Sequence, residues 1–173
     1  MNNSTDVQGM HPHFDQKRAE ALYDAYWQYL SEANVVDLQR VRADMMTWRR
    51  GSAQMVLKIN EGLNNISIYS VLVAGVAGSE ALFRHLLTYN VLQRRESLGL
   101  VEKNNKLYVV LKYTMELELV NAEVLQRHVY ALQEVADKLD TELMEQFGGS
   151  LHFEDWDRLD QSGVDNLLTN LFG

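Results

Sequence analysis

The residues best placed for chemistry lie in VLVAGVAGSEAL, residues 71–82, which reads as a strand, a glycine loop and a helix start. A phosphate-cradling loop requires G-x-G-x-x-G, or G-x-x-x-x-G-K-[ST] with its lysine. Only Gly75 and Gly78 occur here, no lysine follows, and Glu80 stands where an anion would sit. A strand-to-helix turn accounts for the stretch. His11, His13, His85, His128 and His152 include no H-E-x-x-H pair. Glu154, Asp155, Asp157 and Asp160 lack the D-x-D-x-D-G order and terminal glutamate of a calcium loop. There is no G-x-S-x-G elbow and no cysteine, which removes thiol nucleophiles, disulfides and thiolate metal sites. Neither a catalytic residue, a metal site nor a cofactor is expected, and the protein is expected not to be an enzyme.

Arg40, Arg42, Trp48, Arg49 and Arg50 interleave cations with an aromatic ring, as in single-strand nucleic-acid binding. The charge balance opposes that reading. The net charge is −8, and residues 121–173 hold three basic against eleven acidic side chains. Such a surface repels phosphate, so no nucleic-acid partner is expected, and the arginines read as a basic strand end that blunts unwanted pairing. The longest nearly apolar run, residues 70–78, is too short to span a bilayer. The start MNNSTDVQGMHPHFDQ carries no secretory signal pattern, so no membrane role and a cytoplasmic location are expected.

The elements that would carry these residues follow from periodicity. With 173 residues, 46% of them hydrophobic, the chain can bury one good core. Leu22, Ala25, Tyr26, Tyr29, Leu30 and Ala33 recur at helical spacing after Asp15, with Tyr23 and Trp27 toward another side. In residues 35–48 the alternation slips between Val36 and Leu38 on one parity and Val41, Ala43 and Met45 on the other. A bulged strand, or a turn followed by a strand, gives that slip. Met55, Leu57 and Ile59, a turn at Asn60-Glu61-Gly62, then Ile66, Ile68 and Leu72 predict an antiparallel hairpin.

Ser79 reads as the N-cap of a helix with Leu82, Phe83, Leu86, Leu87 and Asn90 inward, and Asn90 as its end. A second hairpin turns at residues 103–105, and Asn121 caps a long helix that stops at Gly148-Gly149. The expectation is α+β: an antiparallel twisted sheet of about five strands flanked by three helices, in the order α-β-β-β-α-β-β-α. Residues 1–12 form a mobile arm, residues 13–149 a single domain, and residues 150–173 an acidic, amphipathic extension. In that extension Val164, Leu167, Leu168, Leu171 and Phe172 share one helical face.

Residues 80–143 resemble the type III secretion chaperone-like superfamily, which includes the YbjN-type proteins. The Leu86-Leu87 helix ending at Asn90, the Leu98-Gly99-Leu100 strand entry, the hairpin after it and a last helix of Leu125, Leu132 and Ala136 character carry the resemblance. It implies a homodimer that holds an extended segment of a protein client without catalysis. By position, Leu82, Phe83, Leu86 and Leu87 would pair the subunits, and Leu22, Tyr26, Tyr29, Met55 and Leu57 would face the client. A YbjN-type regulatory interaction domain is the alternative, and a small-molecule pocket or enzyme using His85 or His128 is a third. Residues 150–173 go beyond the family pattern, and their apolar face is expected to cover the domain's own groove or to engage a partner.

Overall fold

The computed structural model describes residues 15–33, 35–93, 95–103 and 105–151, with Lys103 described by its backbone alone. It is an α+β fold in which three helices lie against one face of an antiparallel sheet. Helix α1, Gln16–Glu32, starts where the Asp15 carboxylate accepts the Arg18 amide at 3.0 Å. Strands β1 (Val36–Arg42), β2 (Met45–Arg50), β3 (Ala53–Asn60) and β4 (Asn65–Val76) follow as a meander. Helix α2, Glu80–Leu92, is capped by Ser79, whose hydroxyl accepts the Leu82 amide. Strands β5 (Glu96–Lys103) and β6 (Lys106–Glu116) form the second hairpin, and Asn121 caps α3, Ala122–Phe147, by accepting the Val124 amide. Both caps satisfy free amides of a first helical turn.

The strands run in the order β1-β2-β3-β4-β6-β5, and a two-residue strand, β7 (Ser150–Leu151), pairs with β4. Among the described residues the sheet therefore has seven strands rather than about five. One of the additions comes from the ambiguous stretch, which is a hairpin of two strands whose first member is irregular. Its register shifts between Val36 and Gln39 and again between Arg40 and Arg42, and Asp37 has φ 55°. Each bulge flips the side-chain parity, which is why the alternation slips.

The other addition is β7, which lies inside the range read as an extension. Pairing of β3 with β4 stops at Gln54 opposite Val71, and β7 takes up the same side of β4 at Val73 and Ala74. Gly149 makes this approach possible. It sits at φ +92°, and a Cβ there would stand 2.7 Å from the Ala74 carbonyl oxygen.

Trp48, Met55, Leu57, Ile68 and Leu111 fill the core between this sheet face and the helices, joined by Tyr26, Leu82 and Leu125. Arg18 fastens α1 to the far end of the sheet. Its Nε donates to the Leu117 carbonyl at 3.0 Å and its Nη2 to the carbonyls of Glu118 and Val120 at 2.9 Å each.

Helix α2 does not stop at Asn90 but continues to Leu92. The Asn90 amide instead bridges to the edge strand. Its Nδ2 donates to the Leu98 carbonyl at 2.8 Å and its Oδ1 accepts the Leu98 amide at 2.7 Å. A side-chain amide here does what a further strand would do for β5, and so blunts that edge.

Candidate functional site

At the open end of the sheet, α1, the β1–β2 hairpin and α3 diverge and leave a groove of about 450 Å3. Tyr26, Tyr29 and Leu30 come from α1, Val36 from β1, Arg50 from β2, and Tyr130 and Gln133 from α3. Tyr26 and Tyr29 stack with centroids 5.7 Å apart, and Trp48 meets Tyr26 edge-on from below. Tyr130 and Val36 are about half exposed, so the groove presents an aromatic wall and an apolar lip to solvent. The Arg50 guanidinium lies 4.5 Å from the Tyr130 ring centroid and donates to Gln133 Oε1 at 3.0 Å. Arg49 bridges to Asp37 at 3.0 Å, which holds the bulged start of β1 against β2. Guanidinium stacked on an aromatic face is a stable way to hold a charge beside apolar surface.

Below the groove, Gly51 and Ser52 fix the β2–β3 turn to α3. Gly51 takes φ +59°, and a Cβ there would meet Asp137 Oδ1 at 2.6 Å. The Ser52 hydroxyl is 2.8 Å from Asp137 Oδ1 and 2.6 Å from Asp140 Oδ2. One hydroxyl hydrogen cannot serve two carboxylates, so a proton on Asp140 suits this geometry. Burial pushes the Asp140 carboxyl up from its usual range and the Asp137 charge adds to that, against hydrogen bonds from Ser52 and Thr141.

A carboxyl raised on folding stabilises fully below its unfolded value, about 4, and loses that contribution as pH rises through its folded value. Asp140→Asn keeps a neutral donor to Ser52. Its thermal midpoint is expected to exceed that of the parent at neutral pH, and the gap to close as pH falls toward about 4. Midpoints taken across that range check it, and a gap that widens on acidification contradicts it.

The structure places the candidate residues unequally. Leu22, Met55 and Leu57 are in the domain's own core, Tyr26 belongs to that core and also backs the groove, and Tyr29 lines the groove. On α2, Leu82 and Leu86 are buried against β5, but Phe83 and Leu87 point outward instead of inward, at 46% and 67% exposure. Val91 and Leu92 extend that outward surface at 83% and 71%. Phe83, Leu87 and Val91 stand at i, i+4 and i+8, one continuous stripe. Val164, Leu167, Leu168, Leu171 and Phe172 lie outside the described residues, as do His11, His13 and His152.

His85 and His128 are not brought together. His85 meets the Phe147 ring at 5.3 Å, and His128 meets Tyr113 at 5.0 Å beside a cavity of only about 50 Å3. Burial lowers the His128 pKa, and the charges of Arg95 and Arg127 act in the same direction. Among the described residues no group of three histidine, aspartate or glutamate side chains could hold a metal ion. No helix among them is long and apolar enough to cross a membrane.

Tyr130, Gln133 and Val91 escaped sequence reasoning, and Arg50, read from sequence as part of a basic strand end, lines the groove instead. Tyr130 and Gln133 follow Val129 and Leu132 by one residue each, which turns them to the flank of the α3 stripe. Val91 continues the Phe83–Leu87 spacing, a signal that was readable.

The fold has known counterparts. A chain of the ExsC–ExsE complex superposes with a TM-score of 0.59 at 14% identity, over 71% of this chain and 93% of that one. YbjN from E. coli gives 0.57 at 13% identity, over 70% and 90%. A chain of the HopA1–SchA chaperone–effector complex gives 0.53 at 14%, over 70% and 94%. No curated protein sequence matches. The profile of the T3SS (YopN, CesT) and YbjN peptide-binding chaperones matches residues 27–155. These residues run from the α1 wall of the groove through the whole sheet and α3, and on that match the chain belongs to this peptide-binding chaperone family, TY-Chap1.

Proposed function

We propose that the protein holds an extended segment of a partner protein in the groove between α1, the β1–β2 hairpin and α3, without catalysis or cofactor, as a cytoplasmic homodimer. The observation that carries this reading is the groove itself. It has aromatic and aliphatic walls, lies beside the edge strand β1, and contains cations already engaged in stacking and ion pairing rather than an acid–base pair. Such a surface suits apolar side chains of an extended chain, with Tyr29 and Tyr130 as anchors. The solved complexes ExsC–ExsE and HopA1–SchA, the second a chaperone with its effector, support a protein partner. The pairing surface in this reading is the outward stripe Phe83, Leu87 and Val91, on the helix carried over from the family resemblance.

Partner capture with mass spectrometry identifies the client, and labelled peptides covering it locate the bound segment. Tyr130→Ala is expected to weaken that segment's binding roughly tenfold, the effect of removing one aromatic anchor. The unfolding midpoint should barely move, because Tyr130 is half exposed. Unchanged affinity in a folded Tyr130→Ala protein would place the client elsewhere.

A further inference from the structure

The second face of the sheet is buried, yet no described helix covers it. By strand register Met45, Thr47, Val56, Tyr69 and Val71 point away from the side that carries Trp48, Met55 and Ile68. Met45 and Val56 are 0% exposed and Tyr69 3%. With Ala74, Tyr108 and Val110 they form a second apolar cluster made of strand residues alone, whereas α1, α2 and α3 all contribute to the first. An antiparallel sheet that faces water on one side presents polar residues there. An apolar face closed to this degree requires a layer above it.

The chain's own exit points to the layer. β7 ends at Leu151 after pairing with Val73 and Ala74, and Ala74 belongs to the second cluster. Residues 152–173 follow. Even as a helix, 22 residues reach roughly 33 Å, and the five strands from β2 to β5 that bear this face span about 20 Å at their usual spacing. Their composition is also fitting: Glu154, Asp155, Asp157 and Asp160 come first, then Val164, Leu167, Leu168, Leu171 and Phe172. The register puts Lys58 and Lys112 on the same face, with the Lys112 ammonium 5.5 Å from the Tyr69 ring centroid. The residues before Asp15 are poorer in apolar side chains, and they lead into α1 on the first face.

We propose that residues 152–173 fold back over the second face of their own sheet, seating Leu167, Leu168, Leu171 and Phe172 on Val56, Tyr69, Val71 and Val110. The covered surface is distinct from the α1–α3 groove, so the inference does not depend on the client reading.

Hydroxyl-radical footprinting of the full chain, with no peptide present, tests it. In the double variant Leu168→Asp/Phe172→Asp, oxidation of Met45 and Tyr69 should rise several-fold over the parent, while Met46 and Met55 on the first face stay protected. A chain ending at Leu151 should give the same pattern, and the double variant carries the test if that chain does not fold. Equal Met45 and Tyr69 reactivity in parent and double variant overturns the proposal, as does a rise at Met55 that matches Met45. Protection of Met45 that disappears on dilution of the parent also overturns it, since a second copy would then be the cover.

Discussion

Phe83→Glu/Leu87→Glu is expected to run as a monomer in light scattering at concentrations where the parent forms the proposed dimer. Helix α2 turns four large apolar side chains outward, and contiguous patches of this kind mark protein contacts on a soluble surface. In a two-fold pair the same patch meets itself, so two substitutions bring four carboxylates to one interface. Burying each without a partner costs several kcal/mol, and even about 3 kcal/mol would weaken association more than a hundredfold. The protomer should keep its stability within about 0.5 kcal/mol, because both positions face solvent in the single chain. A parent already monomeric at micromolar concentration, or a variant that stays dimeric, removes this face as the pairing surface.

The reason these two residues were expected inward shows where sequence reading stops. Leu82 and Leu86 are four apart, and so are Phe83 and Leu87, so α2 carries two adjacent apolar stripes of equal spacing. Periodicity recognises the helix but cannot choose the stripe that meets the sheet. The choice is made by Asn90, whose two hydrogen bonds to Leu98 lock the rotation of α2 over β5. That partner lies in the next hairpin, beyond any local pattern.

Features specified by nearby residues were legible: the Ser79 and Asn121 caps, the β3–β4 alternation and the α3 stripe. The bulged β1 was ambiguous because its irregularities reverse parity. The two-residue β7 has no period at all. The groove fares in the same way. Tyr29 could be named from α1, but Tyr130 and Gln133 become its neighbours only when α3 packs beside α1. Tyr26 reaches the groove as well, but the remaining client candidates, Leu22, Met55 and Leu57, are apolar residues on good periods, and a period does not distinguish a core from a docking surface.

The groove also rests on a residue that does not line it. Trp48 is fully buried, meets Tyr26 at 5.7 Å with the rings inclined at 68°, and so backs the stacked Tyr26–Tyr29 pair from the core side. Trp48→Ala is expected to lower stability by about 3–5 kcal/mol, the range for emptying a large aromatic site. That is a large share of the roughly 5–15 kcal/mol a domain commands. Trp48→Phe should cost far less. The indole Nε1 has no hydrogen-bond partner among the described residues, and a buried donor left unmade carries a penalty of about 1–3 kcal/mol, which phenylalanine relieves while keeping the edge-on contact. Urea midpoints of the two variants check the difference, and peptide affinity adds a second readout. With Trp48→Phe the Tyr26–Tyr29 floor keeps its support and binding should hold. In any Trp48→Ala protein that still folds the floor can sink into the vacated volume and binding should weaken. Equal losses of stability in both variants would mean that the indole N–H is satisfied after all, and that the floor depends on it through a polar contact rather than through packing.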